Sequence, residues 1–394
     1  MRPPALVLAL AVALPVFAID EQRLRDEIKA IQEEMKHVDE QDTEAYRIAA
    51  RYAALGEKAS ALEWLRKATD HGLPLDPSND ERFASLHGDA EYERIVARVQ
   101  REHPPVVKAK TAFTIAEADL VPEGAAYDPK SKSFFFSSLR KQKVIRIDAN
   151  GRASDFITSK RDGLEATLGM KVDARTNSLW VNSVKGERES ELMHYDLATA
   201  KLLGRYKPPT SGAHLFNDLV ITKRGEVILT DSVAGKVYRL AAGANAFTDF
   251  LPSYALAYPN GIALSNDERL LYVADALHGI SVIDMPTVTA KALAHDASIT
   301  LGGIDGLYWY KKQLVAVHNG VVTQVARYRL TKDGLGVESA EVLDYRDSAV
   351  KVPTTGTIAN GRFYFMANTQ LGRENETSGE KPFDPIVVLE VPLP

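Results

Sequence analysis

The sequence predicts a mainly β protein, a six-bladed β-propeller with four-stranded blades, preceded by a small all-α domain. Three observations predict it. From Lys110 onward the chain breaks into short β-branched and aromatic runs bounded by Gly, Asn, Asp and Pro, the texture of strands and turns. A single marker position at the mouth of a short apolar strand recurs at Glu123, Leu168, Asn217, Asn260, Asp305 and Thr355, every 43–50 residues, which is the period of a propeller blade. The last repeat runs out of chain before a fourth strand, whereas 111–119 is a strand without a partner of its own. It can supply the missing outer strand and close the ring, leaving no open edge.

Ahead of the propeller, Met1–Ala18 reads as an export signal. It has Arg2 at the start, an apolar run from Ala5 to Leu14 and a small-residue cleavage pattern at Val16-Phe17-Ala18. The run is short of the roughly 20 residues that span a bilayer. An exported protein, periplasmic or secreted and with no transmembrane span after cleavage, is therefore expected. The chain has no cysteine, so it has no disulfide, thiolate metal site or cysteine nucleophile. A composition of 45% hydrophobic and 26% charged residues is that of a globular protein, and a net charge of −5 gives no basic stripe for nucleic acid.

Residues 19–103 carry helical periodicity. Leu24, Ile28, Ile31 and Met35 mark a first helix. Tyr46, Ala49, Ala50 and Ala53 mark a second, ended by Gly56, and Ala61, Leu62, Leu65 and Ala68 a third, ended by Gly72. Ser78 with Glu81 fits a capping box for a short helix through Leu86. Asp89 caps a last helix carrying Tyr92, Ile95, Val96 and Val99. The middle pair resembles one tetratricopeptide unit, which implies either a protein-binding surface or a cap packed on the propeller. His103-Pro104-Pro105 ends the helices, and 104–394 forms the propeller.

Within each repeat the strands follow in order. Second strands are expected at Ser133–Ser138, Ser178–Ser183, Glu226–Ser232, Leu270–Asp275, Gln313–Asn319 and Arg362–Asn368, with third and fourth strands after them. In a propeller the first strand of each blade lines the central channel, so the six markers face the axis at one height. Glu123, Asn217, Asn260 and Asp305 then bring two carboxylates and two amide oxygens to one point. That set suits a hard divalent cation, most simply Ca2+, with Mg2+, Mn2+ or Zn2+ as alternatives. Read singly, each marker is a turn residue, since Asn-Gly, Asn-Asp and Asp-Gly are turn dipeptides.

These residues resemble the family of senescence marker protein, gluconolactonase and luciferin-regenerating enzyme over roughly Leu120 to Leu393. In that family an acidic residue in blade one, Asn in blades three and four and Asp in blade five surround a divalent metal, usually calcium. The resemblance implies a calcium-dependent hydrolase of a lactone or other ester, with Asp305 as base or nucleophile. Two departures stand out. Sugar-lactone members tend to carry Arg where this chain has Leu215, and paraoxonase-type members carry His where it has Leu168. A less polar substrate is expected, without a His-assisted step from the blade-two marker.

Loops over the metal face are expected to carry substrate-binding residues. Besides Asn217, Leu215, Leu168 and Thr355 these are His214, His278 and His318, the last two as proton carriers. Asp231 and Asp275 are expected to satisfy turn amides, and Leu371–Lys381 to form a lid or a mobile loop. No Gly-rich phosphate loop, G-x-S-x-G elbow or H-E-x-x-H helix is present. The competing expectations are a non-enzymatic propeller scaffold with a structural calcium ion and a protein partner on the N-terminal helices, or a strictosidine-synthase-like relative that has lost hydrolysis.

Overall fold

Short strands, buried on both faces at the inner and middle positions of each sheet and largely exposed at several outer ones, build six antiparallel sheets in the second part of the chain. The computed structural model describes residues 21–394 apart from 38–40, 187, 252–253, 255, 277 and 377–380. The expected export signal therefore lies outside the described residues. No described helix is long and apolar enough to cross a membrane.

The inner strands of the six blades are Ala125–Asp128, Ala166–Asp173, Phe216–Ile221, Pro259–Leu264, Ile304–Tyr310 and Gly356–Ala359. Each pairs with the next strand of its own repeat, and consecutive inner strands touch one another in a closed ring. Ring closure is the one expected. Lys110–Ile115 pairs with Ile386–Pro392 and becomes the outer strand of blade six. Second strands Ser133–Ser138, Leu270–Asp275 and Gln313–Asn319 have the expected bounds.

An apolar cluster fills the space between each pair of neighbouring blades. Phe135 and Val144 of blade one meet Met170 and Leu179 of blade two, and Ile145 of blade one meets Met366 and Val388 of blade six. Burial of such side chains contributes about 1.5–3 kcal/mol each before chain entropy is set against it.

The N-terminal helices are α1 (Glu21–Glu34), α2 (Gln41–Ala54), α3 (Lys58–Thr69) and α4 (Ala90–Glu102). Gly56 and Gly72 have φ of 74° and 75°, the left-handed conformation that ends α2 and α3. Asp89 caps α4 by accepting from the amides of Glu91 and Tyr92. The expected Ser78–Glu81 capping box does not form. Asp80 caps the short 3-10 helix Glu81–Leu86 instead, accepting from Arg82 N, because it stands immediately before the first turn.

The stretch after the helices is more than a linker. Val106–Val107 pairs with Val337–Tyr345 as a fifth strand of blade five. The helices pack against that same blade. Val322 and Tyr345 are buried in the helical core, the Tyr345 hydroxyl donates to the Pro74 carbonyl at 3.2 Å, and Arg346 pairs with Asp76 at 3.4 Å.

Candidate metal centre

The marker residues owe their placement to a break in the sheet ladder. Pairing between inner and second strand shifts between Thr167 and Met170, Phe216 and Leu219, Pro259 and Ile262, and Ile304 and Gly306. A bulge takes a side chain out of the in–out alternation and re-aims it. Leu168, Asn217, Asn260 and Asp305 all sit in these bulges, while Glu123 and Thr355 stand just ahead of their strands.

The residue after each marker fixes its height. Gly124, Gly169, Gly261, Gly306 and Gly356 occupy that position in five blades. A Cβ on Gly124 would lie 2.1 Å from the Leu168 carbonyl oxygen. On Gly169 it would lie 2.3 Å from that of Asn217, and on Gly261 2.5 Å from that of Asp305. The marker carbonyl of one blade thus rests on the glycine of the blade before it. Gly124→Ala is expected to cost about 2–3 kcal/mol, the range for overpacking against rigid neighbours. The check is a lower urea midpoint at unchanged slope.

Glu123, Asn217 and Asp305 are each less than 7% exposed, and Asn260 is half-buried. Burial first, and the charge of Asp305 second, hold the Glu123 carboxyl well above the usual range. Burial pushes Asp305 up to about 7, against the opposing pull of the Asn319 and Asn260 amides. Asn217 Nδ2 donates to Ser232 Oγ at 3.1 Å, which leaves Oδ1 as the end of the amide turned away from that contact. Glu123 Oε2 and Asn260 Oδ1 are buried and have no hydrogen-bond partner. Buried oxygens are normally satisfied, so two such orphans beside a second buried carboxylate fit a cation of the calcium type. Among the described residues no three His, Asp or Glu side chains are grouped to hold a metal, so an ion here depends on the amide oxygens too.

The remaining expected site residues fall into two groups. Leu168 and Leu215 form a small apolar cluster with Val184, flanked by Leu139, Val233 and Tyr258. Thr355, His214 and His318 are buried and held by contacts within the protein. Thr355 Oγ1 donates to the backbone carbonyl of Glu123 and ties blade six to blade one. His214 is 4% exposed, with Nδ1 on Asp231 Oδ2 at 2.6 Å and Nε2 on the Thr210 carbonyl at 3.0 Å. His318 is fully buried, and burial lowers it to about 4, so its ring is neutral. Its Nδ1–H donates to the Gly302 carbonyl and its Nε2 faces the Tyr328 hydroxyl at 2.7 Å. Neither histidine has a nitrogen left for substrate. Both lie at strand ends, where a sequence pattern cannot tell a solvated loop from a buried lock. His278 is partly exposed and stands 3.2 Å from Asp275 Oδ1. Asp231 and Asp275 satisfy turn amides, those of Leu215 and Ala234 and of Ala257 and His278.

Of the 371–381 stretch, 377–380 lie outside the described residues. Its first part is tied down: Arg140 donates to the carbonyls of Glu374 and Glu376, and Arg373 stacks on Phe383 at 3.9 Å.

Three residues escaped sequence reasoning. Asp218 takes the place of glycine in blade three and is 4% exposed. Its Oδ1 accepts from Lys171 Nζ at 3.1 Å and from Leu219 N at 2.8 Å, its Oδ2 has no partner, and its charge reaches Glu123 and Asp305. The signal was present, since only blade three breaks the marker–glycine pattern. Lys171, in the blade-two inner strand, balances that charge. It also lines a cavity of about 570 Å3 at the far end of the inner strands, with Val220, Ile262, Leu307 and Tyr308, away from the marker residues. Asn319, the last residue of its strand, donates from Nδ2 to Asp305 Oδ2 at 2.5 Å.

The family model described as the SMP-30/Gluconolactonase/LRE-like region matches residues 121–334, more than half of the chain. The chain belongs to this family. Among solved structures, a gluconolactonase from Xanthomonas campestris is 17% identical, with 74% of this chain and 99% of that one covered at a TM-score of 0.50. A calcium-binding regucalcin from Agrobacterium tumefaciens is 18% identical, covering 71% and 93% at 0.50. A PQQ-bound aldose sugar dehydrogenase from Streptomyces coelicolor is 12% identical, covering 73% and 99% at 0.50. These likenesses show the propeller fold, which hosts different chemistries. No curated protein matches the chain.

Proposed function

We propose that this family member is a calcium-dependent hydrolase of a lactone or related ester, exported by its first 18 residues. Glu123, Asn217, Asn260 and Asp305 would hold the ion. The observation that carries the reading is the pair of unpartnered buried oxygens, Glu123 Oε2 and Asn260 Oδ1, beside the Asp305 carboxylate. Two carboxylates buried together without a counter-charge are unfavourable, and a divalent ion relieves both desolvation and repulsion. The family membership and the regucalcin and gluconolactonase likenesses support the ion and the substrate class.

When bound, the ion supplies Lewis acidity to a carbonyl oxygen and stabilises the oxyanion that develops there. Asp305 takes the proton of the attacking water at a carboxylate oxygen. Holding the ion requires Asp305 to be ionised, which is also the form a general base needs. Asn319 holds the other side of that carboxylate in place. Leu168, Leu215 and Val184 give the site an apolar wall, which favours an alkyl or aryl lactone over a polyhydroxylated one.

The test is a panel of sugar lactones, alkyl lactones and aryl esters assayed with calcium and with chelator. Chelator-sensitive turnover is expected, with kcat/KM at least about tenfold higher for alkyl than for sugar lactones, the scale of a one-to-two-methylene difference in an apolar pocket. Chelator-sensitive melting without turnover of any member would replace the enzyme by a scaffold with a structural ion.

A further inference from the structure

The second and third strands of blade five are joined by a hairpin that touches both the metal centre and the helical domain. Asn319 and Thr323 pair across it, with Gly320, Val321 and Val322 between them. At one end Asn319 Nδ2 holds Asp305 Oδ2 at 2.5 Å. The hairpin is also keyed to the backbone that enters Asp305. Asn319 N donates to the Gly303 carbonyl at 3.1 Å. Gly303 and Gly320 lie face to face, and a Cβ on Gly303 would come within 2.9 Å of the Gly320 Cα. At the other end Val322, 5% exposed, is buried in the core of the helical domain, and Val321 packs against the same cluster.

We propose that the helical domain is a working part of the metal centre: it seats this hairpin through Val322, so that Asn319 acts as a positioning residue for Asp305. The inference rests on the reading of Asp305 as metal ligand and base. The physical ground is the shortness of the connection. Three residues separate the strands, one of them glycine, so the hairpin tip cannot shift in the helical core without moving Asn319. A carboxylate next to a second buried carboxylate has reason to turn away, and a fixed amide donor prevents it. The helices then set the geometry of the ion site without contributing a ligand.

A double-mutant cycle on calcium affinity, measured by calorimetry on the full chain, tests this without relying on turnover. Asn319→Ala and Val322→Ser are each expected to weaken binding about tenfold, the lower end for loss of a residue that orients a ligand. The double variant is expected to bind no more weakly than Asn319→Ala alone, because both changes remove the same restraint. Additive losses, or unchanged affinity in Val322→Ser, would overturn the proposal. Should near-ultraviolet circular dichroism show that Val322→Ser does not fold, the isosteric Val322→Thr takes its place in the cycle, with the same criterion. A wild-type chain that binds no calcium overturns the hydrolase reading together with this one. Measurable binding with an additive cycle overturns this one alone.

Discussion

Asp305→Asn is expected to lower kcat for lactone or ester hydrolysis about a thousandfold, within the range that a lost general base produces. The change keeps the shape and an oxygen for the ion, while the new amide N–H faces Asn319, which can accept from it by turning its own amide. The substitution removes the charge and the basic site. The carboxylate is 4% exposed and lies among the Asn319 and Asn260 amides, and neither His214 nor His318 can take its place, since both are committed to structural contacts. A neutral amide at this position does not repel Glu123, so the chelated variant should melt no lower than the chelated parent. Turnover by Asp305→Asn within a few-fold of the parent would contradict its assignment as the base.

The second large effect is a pH dependence that reverses between chelated and calcium-loaded protein. Burial raises both Glu123 and Asp305 above their ordinary carboxylate values, Asp305 to about 7. A carboxylate whose folded pKa lies above its unfolded value binds more protons folded than unfolded between those two values. Its charge therefore costs stability at high pH, and that cost is relieved as pH falls from about 7 toward 4. In chelator, the melting temperature should rise on acidification through that window. With calcium, both carboxylates must be ionised to bind, so affinity should fall about tenfold per pH unit below 7 for each proton displaced. Melting curves at pH 8 and pH 6, with calcium and with chelator, check both signs. Stabilisation by calcium that is as large at pH 6 as at pH 8 would contradict the placement of the ion between these carboxylates.

The ring was legible because a propeller repeats its constraints. The marker residue sits in a bulge in four of the blades, and the glycines after Glu123, Leu168 and Asn260 record directly the close approach of the next blade's marker carbonyl. Residues whose role depends on a neighbouring blade or domain were not legible. His318 and Tyr328 are locked together only after their strands pair, and Val322 looks like a loop apolar residue until the helices cover it. The fifth strand of blade five was hidden because Val106-Val107 follows two prolines and reads as linker. Asp218 reads with Asn217 as a turn dipeptide, although it alone departs from glycine at that position.

The direct test of the centre is calcium titration of the full chain by calorimetry, beside Glu123→Gln and Asn260→Ala. One ion per wild-type chain is expected, with binding at least about tenfold weaker in each variant, as befits loss of a direct ligand or its charge. No binding by the wild type, or affinity unchanged in both variants, would contradict it.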